Sequence, residues 1–205
     1  LMSGYCFVVV LRTSIDPIGD DSSSGDTTEV APVISIGKSI RLQLKDGNSF
    51  TNAIQIFNGS NNTTEANNQY TPASNTLSTQ FKIIIYTTGG GSGYASVRGL
   101  YVDGTRVATG EIQQTNHQIS TGNTSPDFRI GRDLDEVFGD QASEFNHSFG
   151  SFDLAEMMVF NTPVSEDERE KLEGYLAHKY GLQSNLPGGH EYKTSAPTEG
   201  SIPEK

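Results

Sequence analysis

Tryptophan is absent from the 205 residues, cysteine occurs once, and basic residues are outnumbered 25 to 14 by acidic ones. Each scarcity excludes something. A single cysteine, Cys6 in "GYCFVVVLR", can form neither an intrachain disulfide framework nor a cysteine-based zinc site. Among such apolar neighbours it is expected to be an inert strand thiol rather than a nucleophile. A formal net charge of -11 with no basic stripe argues against nucleic acid as a partner. No apolar run approaches the roughly 20 residues of a membrane span, so no helical membrane insertion is expected. His117, His147, His178 and His190 lack H-x-H and H-E-x-x-H spacing, which speaks against zinc. There is no G-x-S-x-G elbow, and the Gly-rich "TTGGGSGY" lacks the Lys-Ser/Thr of a phosphate loop and reads as a hairpin loop.

What is present is a strand pattern. Only 34% of residues are hydrophobic, yet they gather in short runs separated by polar and glycine-rich turns, which is the mark of a folded, loop-rich chain. The runs are Tyr5–Leu11, Val33–Ile36, Ile40–Leu44, Ala53–Phe57, Phe81–Tyr86, Val97–Val102, Arg106–Ala108, Phe128–Ile130 and Phe152–Phe160. In "SIRLQLKDG" Ile40, Leu42 and Leu44 alternate with Arg41, Gln43 and Lys45, the period of a half-buried antiparallel strand. Asp46-Gly47 and Asp103-Gly104 suit the positive φ angles of tight hairpin turns. Many short strands at this spacing predict a sandwich or barrel. The opening "LMSGYCFVVVLR" has neither the basic start nor the small-residue cleavage site of a signal peptide. It begins at Leu1 and runs at once into a strand pattern, so upstream sequence is expected.

Long polar segments interrupt the strands at Thr13–Glu29, Asn58–Asn75 and Asp133–Phe149. They exceed ordinary hairpin loops, and the phenylalanines of the third can anchor it to the fold or offer a stacking surface. One segment is helical by every signal. Ser165 with Glu168 makes a capping box, acids crowd the first turn, and Leu172, Tyr175, Leu176 and Tyr180 recur at three- and four-residue spacing. Gly181 suits the left-handed end. That helix is expected to lay its apolar face on the sheets. The organisation predicted is one domain over 1–183 and an extended, mostly irregular tail or linker over 184–205.

The order "GLYVDGTRVATGE", "DFRIGRD" and "FGSFDLAEMMVFNTPVSEDEREKLEGYLAHKYGL" resembles the concanavalin A-like, laminin-G-type domains. Those share a "lyvDG" hairpin, an "iGr" strand, a strand-to-turn motif carrying a Glu, and a closing helix. The stretch "EGYLAHKYGLQSNLPGGHEYK" is similar to a subgroup in large bacterial surface and secreted proteins and in some phage proteins. The likeness runs from about Phe81 to Lys193 and is loose before that. It implies an all-β fold: two antiparallel sheets in a jelly-roll sandwich with one C-terminal helix packed on it. It also implies an extracellular, cell-surface or virion setting within a larger polypeptide or assembly.

Some glycosidases on this fold, the laminarinase-type β-glucanases, carry a strand motif E-x-D-x-x-E, with the first Glu as nucleophile and the last as acid/base. On this chain the motif falls at Ser151, Asp153 and Glu156, so the nucleophile position holds Ser151. A retaining pair must stand about 5–5.5 Å apart. Residues three apart on a regular strand face opposite ways, so Asp153 and Glu156 could pair only across a bulge. The expectation is therefore no enzyme. Glu156 also occupies the position where the resembling family carries its own Glu, and its expected job is hydrogen bonding rather than proton transfer.

Calcium is the one ion the sequence keeps in view, with none required. "DDSSSG" starts like an EF-hand loop, but its twelfth position is Ala31 where a bidentate Glu is needed. "GRDLDEVFGD" offers Asp133, Asp135 and Asp140 as ligands, against the plainer reading of solvated acidic loops. Tyr70, Tyr94, Phe138 and Phe145 are the candidate sugar-stacking platforms. Sequons at Asn58, Asn61, Asn62, Asn123 and Asn146 matter only in a glycosylating host. The function expected is a non-catalytic recognition or adhesion module binding glycan. The alternative is a structural or assembly domain of a virion or cell-surface array that binds protein neighbours.

Overall fold

The computed structural model describes residues 4–14, 28–36, 40–47, 50–58, 69–70, 77–89, 99–107, 128–131 and 151–198. The strands are β1 (Gly4–Thr13), β2 (Thr28–Ile36), β3 (Ile40–Gly47), β4 (Phe50–Asn58), β5 (Gln69–Tyr70), β6 (Lys82–Gly89), β7 (Gly99–Val102), β8 (Thr105–Arg106), β9 (Phe128–Ile130) and β10 (Phe152–Phe160). One helix, α1 (Glu166–Tyr180), follows among the described residues, and then a single 3-10 turn at Gln183–Asn185. The strands make two five-stranded sheets of order β10-β1-β6-β7-β8 and β5-β4-β3-β2-β9, and every pairing is antiparallel. The chain is thus mostly β, as its short alternating runs predict.

The run "YCFVVVL" does not alternate, and its place explains why. β1 lies inside its sheet with apolar matter on both faces. Tyr5, Phe7, Val9 and Leu11 join a buried cluster with Ile84, Tyr86 and Leu100 of the same sheet and Val33, Ile34, Leu42, Leu44 and Ile54 of the other. Cys6, Val8 and Val10 point the opposite way, into a second cluster with Ile83, Ile85 and the helix residues Leu172, Leu176 and Ala177. A strand covered on both sides has no water-facing positions to fill with polar residues. In the other sheet Val33 and Ile34 are consecutive yet both enter the first cluster, because the β2–β3 register shifts between Pro32 and Ile34. The Tyr5 phenol sits deep in that cluster, and burial pushes its pKa well up.

Two turns expected from Asp-Gly pairs turn out differently. Asp103 (φ 49) and Gly104 (φ 78) make the tight β7–β8 turn, both with positive φ. The Asp103 carboxylate accepts from the Ile83 backbone N–H at 2.9 Å and from Lys82 Nζ at 2.8 Å, tying the turn to β6. Asp46-Gly47, by contrast, stays in the ladder, with Asp46 opposite Glu29 and Gly47 opposite both Thr28 and Phe50. The β3–β4 register shifts between Lys45 and Gly47, so the chain reverses beyond the glycine. The two-residue strand β5 falls inside the polar segment 58–75, where no run of strand length exists to announce it.

The helix begins and ends as its sequence demands. The Ser165 hydroxyl accepts from the Glu168 backbone N–H at 3.2 Å, and the Glu168 carboxylate accepts from the Ser165 N–H at 2.8 Å. That reciprocal box satisfies two donors that would otherwise have no partner at the helix start. Gly181 (φ 70) closes the other end in the left-handed conformation. Residues 184–193 are seated on the fold, while Thr194, Ser195 and Ala196 are exposed. Leu186 is buried in the helix-side cluster, Asn185 donates to the Phe81 carbonyl, and Lys193 Nζ donates to the carbonyl of Leu186. The chain thus folds back along α1, and Tyr192 packs over Gly174. A Cβ on Gly174 would meet Tyr192 Cγ at 2.8 Å and its Cβ closer still.

Candidate functional site

Strand β10 carries the two carboxylates that a glycosidase reading would use. Its register against β1 slips once: Val10 lies opposite Glu156 and Leu11 opposite Leu154, leaving Ala155 as the extra residue. The bulge cancels the usual alternation. Leu154 and Met157 therefore both pack against the first cluster, the one that holds residues of both sheets. Asp153 and Glu156 both stand on the helix side. A bulge was the condition for bringing them to one face, and it is present.

Each carboxylate nevertheless has its own partner. Asp153 Oδ2 accepts from Arg12 Nε at 2.7 Å, and the Arg12 guanidinium lies over the Phe81 ring at 4.9 Å. Glu156 accepts from Lys179 Nζ at 2.9 and 3.1 Å and from the Tyr180 hydroxyl at 2.9 Å, which ties β10 to the last turn of α1. The hydrogen bond to Glu156, and then one to Tyr175, hold the Lys179 ammonium above its ordinary pKa. Ser151, at the nucleophile position, is exposed, and its carbonyl accepts from the Ser14 N–H at 3.2 Å. The Arg12–Asp153 pair is half in solvent (47% and 62% exposed side chains), where ion pairs contribute little. Asp153→Asn is expected to change unfolding free energy by no more than about 1 kcal/mol in urea denaturation. A loss of several kcal/mol would mean that Asp153 does more than hold Arg12.

A second cluster lies beneath the helix, and its residues are polar where the helical stripe predicts apolar ones. Arg169 and Glu173, four apart on α1, are both buried. Arg169 Nη1 donates to Glu173 Oε2 at 2.5 Å, its Nη2 reaches Glu170 at 3.3 Å, and its guanidinium lies 4.3 Å from the Tyr101 ring centroid. His190 Nε2 stands 3.0 Å from the same Glu173 oxygen. Gly104 of the β7–β8 turn forms one wall: a Cβ there would meet Pro187 Cδ at 3.0 Å and His190 Cδ2 at 3.1 Å. Burial by itself would lower the Arg169 pKa, but the Glu173 carboxylate outweighs it and holds the guanidinium above its ordinary value. Burial also raises the Tyr101 phenol, with the Arg169 charge pulling the other way.

Sequence reasoning passed over this cluster. His190 stood as one of four scattered histidines, and neither Arg169 nor Glu173 was singled out. The signal available was spacing: 169, 173, 176 and 180 fall on one helical face with Leu172, so two charges interrupt a stripe that must be buried.

Of the residues expected to bind a ligand, Tyr70 has its backbone in β5, opposite Ile56 at the edge of the second sheet. Tyr94, Phe138 and Phe145, and the candidate calcium ligands Asp133, Asp135 and Asp140, lie outside the described residues. Among the described residues no three His, Cys, Asp or Glu side chains gather as metal ligands, and no helix is long and apolar enough to cross a membrane. Set against family models and against curated proteins, the chain matches none.

Proposed function

We propose that this chain is a jelly-roll β-sandwich of the laminin-G, concanavalin A-like kind, serving as a non-catalytic recognition module that binds glycan within a larger extracellular or virion-surface protein. The observation that carries the non-catalytic part is the state of β10. Asp153 is held by Arg12, Glu156 by Lys179 and Tyr180, and the nucleophile position is a serine. Two carboxylates free to face a scissile bond are what glycoside hydrolysis requires. The sandwich reading rests on one apolar cluster shared by residues of both antiparallel sheets, with α1 covering the other face of the first sheet. The glycan reading rests on the resemblance and on aromatic residues within polar, loop-length segments: Tyr70, Tyr94, Phe138 and Phe145. Asp133, Asp135 and Asp140 would serve a calcium ion at the loop rim if one is used.

The test is a thermal melt of the full chain with calcium, with a chelator, and across a panel of soluble glycans. A ligand that binds only the folded state stabilises it by about 2.7 kcal/mol at a hundred times its Kd. The expected result is a higher Tm with one glycan class, lost in Tyr94→Ala or Phe138→Ala. No shift with any glycan would turn the assignment towards a structural domain whose partner is protein. Release of reducing sugar from any of them would overturn the non-catalytic part.

A further inference from the structure

Past Gly181 the chain doubles back as a strap over residues 183–193, and the strap is seated around one buried oxygen. Glu173 Oε2 receives Arg169 Nη1 at 2.5 Å and faces His190 Nε2 at 3.0 Å. The other nitrogen of the His190 ring, Nδ1, meets the backbone N–H of Tyr192 at 3.2 Å. A backbone N–H can only donate, so Nδ1 must be bare and accept. The single ring proton is then on Nε2, donated to Glu173. The seated strap thus admits one form of His190, the neutral Nε2–H tautomer.

A second proton would have to sit on Nδ1, where the Tyr192 N–H already points, and that bond would be lost. It would also set a second cation against the oxygen that Arg169 already occupies. The side chains of His190 and Glu173 are 2% and 0% exposed, so solvent does little to screen that charge. The groups around the ring come from three elements. Helix α1 gives Glu173 and Arg169, the latter stacked on Tyr101 of β7 and joined at Nη2 to Glu170. The β7–β8 turn brings Gly104 to the ring, while its Asp103 carboxylate is engaged by Lys82 and the Ile83 N–H. The strap itself gives the Tyr192 ring, 6.3 Å from that of His190. Among the described residues no anion other than Glu173 touches the imidazole.

The other imidazole at the strap behaves differently. His178 Nε2 faces the Tyr192 carbonyl at 3.0 Å and its Nδ1 faces the Gln183 side-chain amide at 3.2 Å. That amide can turn its oxygen towards a protonated ring, so His178 keeps both bonds in either state.

We propose that residues 183–193 form an acid-released strap with His190 as its proton switch. The closed strap holds no proton on Nδ1 and the open strap can take one. Opening therefore takes up a proton, and closure is favoured above the range where imidazoles titrate and weakened as pH falls through it. One proton with an ordinary imidazole affinity in the open state corresponds to about a tenfold loss of closure between pH 7.5 and 5.5.

The experiment is amide hydrogen exchange by NMR on the full chain at those two pH values, expressed as protection factors. Leu186, His190, Tyr192 and Lys193, whose amides are bonded within the strap, are expected to lose about tenfold in protection, while Val8 and Val10 of β1 keep theirs. His190→Gln can still donate to Glu173 but cannot take the proton, so its strap should exchange alike at both pH values. If that variant fails to seat the strap, the wild-type imidazole 15N shifts decide. They should report the neutral Nε2–H form at pH 7.5 and protonation in step with the loss of strap protection. Equal strap protection at both pH values, a doubly protonated ring with Tyr192 still protected, or an undiminished pH effect in His190→Gln would each overturn the proposal.

Discussion

Arg169→Ala is expected to lower unfolding free energy by about 3–5 kcal/mol, far more than the loss of a surface cation. The reason is what remains behind. Glu173 is wholly buried, and its Oε2 is held by Arg169 and faced by His190. Removing the guanidinium leaves a carboxylate with no full countercharge in a place that water does not reach. Its ionised form then becomes costly, and the stacking of the cation on Tyr101 is lost as well. Replacing both members of the pair, as in Arg169→Met with Glu173→Leu, should recover part of the loss, because no charge is then stranded although the His190 Nε2–H loses its acceptor. Urea denaturation of the two variants reads this directly. A single replacement costing under about 1 kcal/mol would mean that the carboxylate reaches solvent, against its burial in the structure.

The same cluster marks where reading the sequence stopped. Elements fixed by local rules were legible. The helix was announced by Ser165, Glu168 and Gly181, each of which acts on backbone groups within a turn of itself. Strands β9 and β10 fall on the very residues whose pattern predicted them, and β1 exceeds its predicted run by one residue at the start and two at the end. What escaped was set by partners distant in the chain. The bulge at Ala155 depends on β1, more than a hundred residues earlier, and it alone brings Asp153 and Glu156 to one face. Asp46-Gly47 has the composition of a turn, but the β3–β4 register carries the reversal past it. His190 looked isolated because Glu173 and Tyr192 give it meaning only once the chain doubles back. Local chemistry was readable; pairings across the fold were not.

Phe7→Ala is expected to cost about 3–5 kcal/mol, the range for deleting a buried aromatic ring from a packed core. Phe7 is 2% exposed, its ring lies 5.0 Å from that of Tyr5, and it belongs to the cluster that holds Leu42, Leu44 and Ile54 of the other sheet. Size alone does not test the architecture, because a ring buried within one sheet and its loops could cost as much. A double-mutant cycle does. If the two sheets pack on each other through this cluster, Phe7→Ala and Leu44→Ala remove surfaces that share a core, and their effects should depart from additivity by about 0.5–3 kcal/mol. Phe7→Ala with Leu176→Ala is the control, because Leu176 lies on the helix side of the first sheet and belongs to the other cluster. That pair should add to within roughly 0.5 kcal/mol. Coupling confined to the first pair is the signature of two sheets closed over one core with the helix outside it. Additivity in both would separate the sheets energetically and remove the support on which the sandwich reading rests.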